Sequence, residues 1–391
     1  MLLHKSHLDH QIMKPSIKHF FPLALLVCAL MAGRASAQVT AAVPFLQVEP
    51  DAKITGMGNA GAALAENANA VFWNPAGLAF NKNTELSISH SNWLPRLASD
   101  LFYEYLIGKY HVDGLGTFGA SVTYMNLGEN ERRNEANEPD GTFRSYDAAA
   151  NVSYGFKVTP NLSVGTGIRF IYSNLDSGGG SVGTQKTQAG ISAGADLAVQ
   201  YRSNPISLGG IKTKIAAGAN LANMGPAIQY SDRGQSDPIP TNLRVGLAST
   251  FSLDDYNTFS IAVDANKVLI HTTKDEATGE YKSDPFYKAI FSSWQPLTVN
   301  IAAQGQDPVY KNLSSLDQMT FGFGVDYTYR QFFSIRGGYF YENPYNGDRQ
   351  FFTTGFGLNV SVVQLDVSYI ITVKEQHPLE GTPRFSIGLN L

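Results

Sequence analysis

Segments of about ten residues in which large apolar side chains alternate with small or polar ones recur along most of this chain, and a period of two fits only half-buried β-strands. The clearest sets Leu162, Val164, Thr166, Ile168, Phe170 and Tyr172 on one face against Ser163, Gly165, Gly167 and Arg169 on the other. Ile191, Ala193, Ala195, Leu197, Val199 and Tyr201 oppose Ser192, Gly194, Asp196 and Gln200. Met319, Phe321, Phe323, Val325, Tyr327 and Tyr329 likewise oppose Gly322, Gly324, Asp326, Thr328 and Arg330. The apolar face could meet a soluble core or lipid. Charged residues make up only 16% of the chain, below the roughly 25% of a soluble domain. A bundle of membrane helices is excluded as well, since each needs about 20 consecutive apolar residues.

Connection lengths choose between a sandwich and a barrel. Strands near 84–93, 101–111, 116–127, 145–157, 161–173, 188–202, 211–221, 241–252, 257–266, 318–329, 332–342, 350–359, 362–373 and 383–391 number fourteen. Short connections (111–114, 158–160, 253–256, 330–331) alternate with long polar ones (128–144, 173–187, 222–240, 343–349, 374–382). A sandwich has no reason to sort loops by parity, whereas an outer-membrane barrel has short periplasmic turns and long external loops. The expectation is an all-β, antiparallel transmembrane barrel integral to the outer membrane, spanning 84–391, with both termini periplasmic. Its largest loop, near 267–317, has its own apolar piece from Pro285 through Phe291 and Trp294 to Pro296. It reads as a folded external loop; one more strand pair there would make sixteen.

Residues 1–37 read as a secretory signal peptide with an upstream extension. Lys14 and Lys18 precede the apolar run Phe20 to Gly33, and Ala35-Ser36-Ala37 supplies a small-x-small cleavage pattern. Removing them leaves 25 basic and 32 acidic residues of the original 29 and 33, a net charge of −7. No basic patch argues for nucleic acid, and the single cysteine, Cys28, leaves with the signal. Residues 38–83 are rich in small residues and do not alternate. They are expected to fill the lumen as a hatch, with a short helix over Ala60 to Ala70 and a tight turn at Asn74-Pro75-Ala76-Gly77.

Gly56-Met57-Gly58-Asn59-Ala60-Gly61 matches a dinucleotide-binding pattern, but no strand precedes it and no βαβ unit surrounds it. Gly56, Gly58 and Gly61 therefore serve hatch turns, together with Asn74 and Pro75. His90, His111, His271 and His377 are too scattered for a metal site. Ser-His-acid chemistry around His271, Thr272, Thr273 and Asp275 reads as ordinary loop composition, so no enzyme activity, metal or cofactor is expected. A lipid A deacylase barrel would need a Ser and one of His90, His271 or His377 at the outer leaflet. Two external loops carry apolar groups suited to partner contact or to packing and lipid: Trp93, Leu94, Pro95 and Leu97 in the first, Phe291 and Trp294 in the largest.

In order and spacing, several motifs resemble the FadL-like outer-membrane barrels, and within them the PorV/PorQ group of the type IX secretion system. They are Pro44-Phe45-Leu46, Pro50-Asp51-Ala52, the glycine run from Gly56, Phe72-Trp73-Asn74-Pro75-Ala76, Trp93-Leu94-Pro95, Asn126-Leu127-Gly128-Glu129, Ile168 to Ser173, Arg336-Gly337-Gly338-Tyr339-Phe340, Pro378-Leu379-Glu380 and Arg384-Phe385. Gly77-Leu78 departs from the Lys-Tyr that PorV-like chains often carry after this turn. The resemblance implies a non-catalytic secretion component. It would bind cargo through the C-terminal secretion domain and shuttle it from the large barrel translocon to the surface sortase, among membrane lipids and lipopolysaccharide. The alternative is FadL-like transport of hydrophobic small molecules.

Overall fold

A computed structural model describes residues 41–391 except 134–136, 177–180, 183–184, 232–235, 275–280 and 303–305. The signal-peptide expectation lies outside the described residues. Residues 298–312 form a unit of their own, a hairpin in which Ile301 N–H donates to Val309 O at 2.7 Å. Everything that follows concerns the other unit.

Two short helices, α1 (Ala52–Thr55) and α2 (Ala70–Trp73), precede the strands. The strands are β1 (Glu85–Asn92), β2 (Phe102–Val112), β3 (Gly116–Arg133), β4 (Pro139–Lys157), β5 (Leu162–Asn174), β6 (Gly190–Arg202) and β7 (Ile211–Met224). Then come β8 (Asn242–Ser252), β9 (Asn257–Val268), β10 (Met319–Tyr329), β11 (Phe333–Glu342), β12 (Gln350–Val360), β13 (Val363–Thr372) and β14 (Pro383–Asn390), with one further helix, α3 (Phe286–Ser292), between β9 and β10. Each strand pairs antiparallel with the next, and β14 pairs with β1 from Glu85↔Asn390 to Ser91↔Arg384, so the wall closes. The expected fourteen strands are all present. The short pairings in the largest loop form two-stranded sheets of their own and add no strand to the wall, which counts fourteen among the described residues.

Alternation sorts the two faces as read from sequence. On β5, Ile168 and Phe170 are exposed while Ser163, Gly165 and Gly167 are buried. Outside, at the long-loop end, His90, Phe102, Tyr124, Tyr146 and Tyr172 form a row of rings with successive centroids 6.4, 6.1, 5.6 and 5.9 Å apart. At the short-turn end Phe118, Tyr154 and Phe156 repeat it, and Arg330 lies over Tyr256 at 4.6 Å. Tyr146 and Tyr154 are eight residues apart on β4. At ~3.3 Å per residue and a tilt of ~40° that separation projects to about 20 Å, close to the ~25 Å apolar band of a membrane barrel.

Inside, residues 42–83 form the plug. Asp51 caps α1 by accepting from Ile54 N–H at 2.9 Å, and its other oxygen accepts from Trp73 Nε1 at 2.5 Å. The helix expected over Ala60 to Ala70 is absent; the chain turns there instead and becomes helical only at α2. The wall takes the backbone groups a helix would use. Gly61 and Ala62 N–H both donate to Asp264 at 2.8 Å, Gln200 Nε2 donates to Ala63 O at 2.5 Å, and Ala68 N–H donates to Glu85 at 2.6 Å.

Asn74-Pro75-Ala76-Gly77 opens a 3-10 helix (Pro75–Phe80) and is not an isolated turn. Asn74 caps it through Ala76 N–H at 3.1 Å and sends its amide group to Ala62 O at 2.8 Å and Val199 O at 3.2 Å. Gly77 is required by close approach, since a Cβ there would lie 2.0 Å from Ala65 O. Asn74→Asp should therefore destabilise the plug more than Asn74→Ala, because a carboxylate would face two carbonyl oxygens. A loss of about 1–3 kcal/mol is expected for the lost bonds, read as a lower temperature for the folded-to-unfolded mobility shift on gels.

Candidate functional site: the plugged lumen and the long-loop rim

The plug is bonded to the wall around its circumference. Ala52 N–H donates to Ser386 at 3.0 Å, Gly58 N–H to Thr353 at 2.9 Å, Asn220 Nδ2 to Trp73 O at 3.2 Å, and Ser163 to Ala76 O at 2.8 Å. Arg384 reaches Glu49 O, and Arg244 lies over the Trp73 ring at 4.6 Å. Gly58 has a positive φ of 62°, and the wall answers it with glycines: a Cβ on Gly338 would meet Gly58 N at 2.2 Å, and one on Gly324 would meet Met57 O at 2.3 Å. Between plug and β2–β5, Phe45, Phe72, Tyr103, Tyr105 and Arg169 line a recess of about 10 Å³, room for about one water.

The β7–β8 loop folds inward onto the start of the plug: Ala42 N–H donates to Pro238 O at 2.9 Å, and Ile228 and Ile239 are buried in one cluster with Val43 and Phe45. Both termini were expected at the short-turn end. Leu391 is there, its N–H bonded to Thr84 O at 2.9 Å; the N-terminus lies outside the described residues.

The rim separates residues that sequence had grouped together. In the β1–β2 loop, Trp93 and Leu94 are half-buried and pack inward against Phe340, Phe351, Ile370 and Leu379, so these two are anchors more than exposed contacts. Pro95 is half-buried too, while Leu97 is 59% exposed. Arg96 ties the loop to Glu380 at 3.0 Å.

In the large loop Asp284 is the hub. It accepts from His271 Nδ1 at 2.9 Å, Lys288 Nζ at 2.6 Å and Ser292 Oγ at 2.7 Å. His271 is thus a loop brace, and Asp275 of the acid-imidazole reading falls outside the described residues. Trp294 donates to Ile290 O at 2.9 Å and its ring covers the ammonium of Lys267 at 5.6 Å. Phe291 is 79% exposed. Lys267 was not singled out from sequence, although the signal was present: Val263, Ala265 and Lys267 share the outward parity of β9, and the last is a charge. Among the described residues no cluster of three or more His, Cys, Asp or Glu could hold a metal, and no helix is long and apolar enough to cross a membrane.

A family model described as "Type IX secretion system protein PorV" matches residues 32–275, well over half of the chain. The chain belongs to the PorV family. No curated protein matches it. Among solved structures, this PorV-family chain is similar to the Pseudomonas putida toluene transporter TodX, with 14% identity, a TM-score of 0.48, and 90% of this chain and 98% of that chain covered. It is also similar to the Ralstonia pickettii toluene transporter TbuX (12%, 0.45, 87% and 96%) and a Pseudomonas aeruginosa FadL homologue (13%, 0.40, 92% and 97%). Family and closed barrel together make this an outer-membrane component of type IX secretion.

Two outcomes follow from the rim. Trp93→Ala with Leu94→Ala should loosen the β1–β2 loop by roughly 2–4 kcal/mol through lost packing, seen as faster proteolytic nicking there while the barrel still resists heat in detergent. For Asp284, burial alone would raise the carboxyl, but the bonds from Lys288, Ser292 and His271 outweigh it and hold it at about 2. A carboxylate depressed in the folded state stabilises above its unfolded value and loses that contribution as pH falls through the folded one. The large loop should therefore keep its resistance to pepsin at pH 4 and lose it toward pH 2, and Asp284→Ala should be cut at pH 4 already.

Proposed function

We propose that this barrel carries cargo in type IX secretion. It receives proteins from the large barrel translocon by binding their C-terminal secretion domain at the long-loop rim, and delivers them to the surface sortase that attaches them to lipopolysaccharide. The long loops face the cell exterior and the C-terminus the periplasm. The observation that carries this reading is the plug: Asp264, Gln200, Glu85, Thr353, Ser386 and Arg384 hold it from strands all around the wall. A lumen filled in this way leaves the rim as the working surface, and a plugged, closed barrel with an apolar exterior is free to diffuse between partners in the membrane plane. No reacting group is required by this task.

Within the rim, Leu97 is the cargo-contact residue we favour. It projects from a loop fixed by Trp93, Leu94 and the Arg96–Glu380 pair, so an apolar contact is presented at little ordering cost.

Affinity isolation from native membranes should recover a giant barrel and secreted proteins bearing the secretion domain, and Leu97→Asp should lose the cargo without losing barrel assembly. Recovery of neither partner, together with lost uptake of hydrophobic compounds in a deletion strain that secretes normally, would favour small-molecule transport instead.

A further inference from the structure

The outward-facing strand positions are apolar almost throughout, and Lys267 breaks that rule. Asp264 and Asn266 of β9 point inward, to the plug and to Asn242 Nδ2, so Val263, Ala265 and Lys267 point away from the lumen, and Val263 is 47% exposed on the outer wall. Lys267 pairs in register with Met319 of β10, whose outward neighbours are Phe321 and Phe323. Yet Lys267 is fully buried. Its cover is the large loop: Gln318 Oε1 accepts from its ammonium at 2.8 Å, the Trp294 ring lies over it, and Gln318 Nε2 holds Gln295 O at 3.0 Å. The loop is therefore folded over the rim onto the outside of the wall, beside the apolar belt.

The neighbouring residues fit that position. Tyr287 and Phe291 fall at i and i+4 on one face of α3, Trp294 follows two residues past its end, tied back by its bond to Ile290 O, and the three are 64, 79 and 40% exposed. Leu316, adjacent through the Ser315 contact to Trp294 O, is exposed as well. On the other side Ala289 and Ser293 are buried, and Lys288 is turned to Asp284.

We infer that α3 and Trp294 form an interfacial membrane anchor, which lays Tyr287, Phe291 and Trp294 into the lipid leaflet at the long-loop end. The occupant is a lipid surface because the stripe continues the lipid-facing belt and begins at a lysine on that belt. Trp and Tyr favour this depth, where one edge of the ring is apolar and the other meets headgroups. The Lys267 ammonium, set at the belt's edge, is shielded by the ring and the Gln318 amide instead of by water. The anchor sets the large loop beside the wall, away from the mouth of the lumen, and does not depend on the cargo reading.

The test uses the full chain in phosphatidylcholine vesicles with and without bromine on the acyl chains. Trp73 and Trp93 supply a constant background, so the emission of the native chain minus that of Trp294→Phe isolates Trp294. That difference should lose most of its intensity in brominated vesicles and be unaffected by iodide; quenching by iodide with none by bromolipid overturns the anchor. Independently, a nitroxide on Phe291→Cys, in a Cys28→Ser background, should collide with oxygen more than with a water-soluble nickel chelate. The reverse order, or shielding from both as at a protein contact, overturns it.

Discussion

The pairing of β14 with β1 is the constraint on which the rest of this structure depends. In hydrocarbon an unpaired backbone group costs several kcal/mol, so strands can cross only if no edge remains. Closure through Glu85↔Asn390 to Ser91↔Arg384 gives every wall strand two neighbours. It also makes parity inescapable: once one strand has its apolar face outward, the paired register forces the same choice on the rest.

A closed wall of fourteen strands encloses a lumen that its own inward side chains do not fill, because those are mostly Gly, Ser, Asn and Asp. The plug fills it, and the small inward residues admit it. Glycines on β10 and β11 let the Met57-Gly58 backbone touch the wall, and inward polar groups such as Asp264, Gln200 and Asn220 take up backbone groups that the plug's irregular path leaves without helical partners. Plug and wall satisfy each other's hydrogen bonding, which is why a segment with so little regular structure can be buried.

Loops at the two ends obey different rules. Tight turns close one end, while at the other the chain folds back on itself. Trp93 and Leu94 fold onto inward residues of β11 to β13, and Trp294 folds over the wall's exterior. Both were legible as apolar residues in polar loops. Their different destinations were not, because side-chain parity is a property of strands and ends where the strands end. Lys267, the last outward residue of β9, marks that boundary.

Period-two alternation and the sorting of loop lengths by themselves located the fourteen strands, their limits to within a few residues outside the extended β3–β4 hairpin, and which face of each is apolar, because these are local properties repeated many times; that the largest loop adds no further wall pair was decided by the tertiary structure. Composition also marked residues 38–83 as lying outside the wall. Only the tertiary structure decided the path of that segment. The Ala60 to Ala70 stretch has small residues suited to a helix, but Asp264 and Gln200, some 200 and 137 positions away in the chain, claim its backbone groups first. The packing of the β7–β8 loop onto the plug and the inward turn of Trp93 are likewise set by contacts between residues far apart in sequence, which no local pattern encodes.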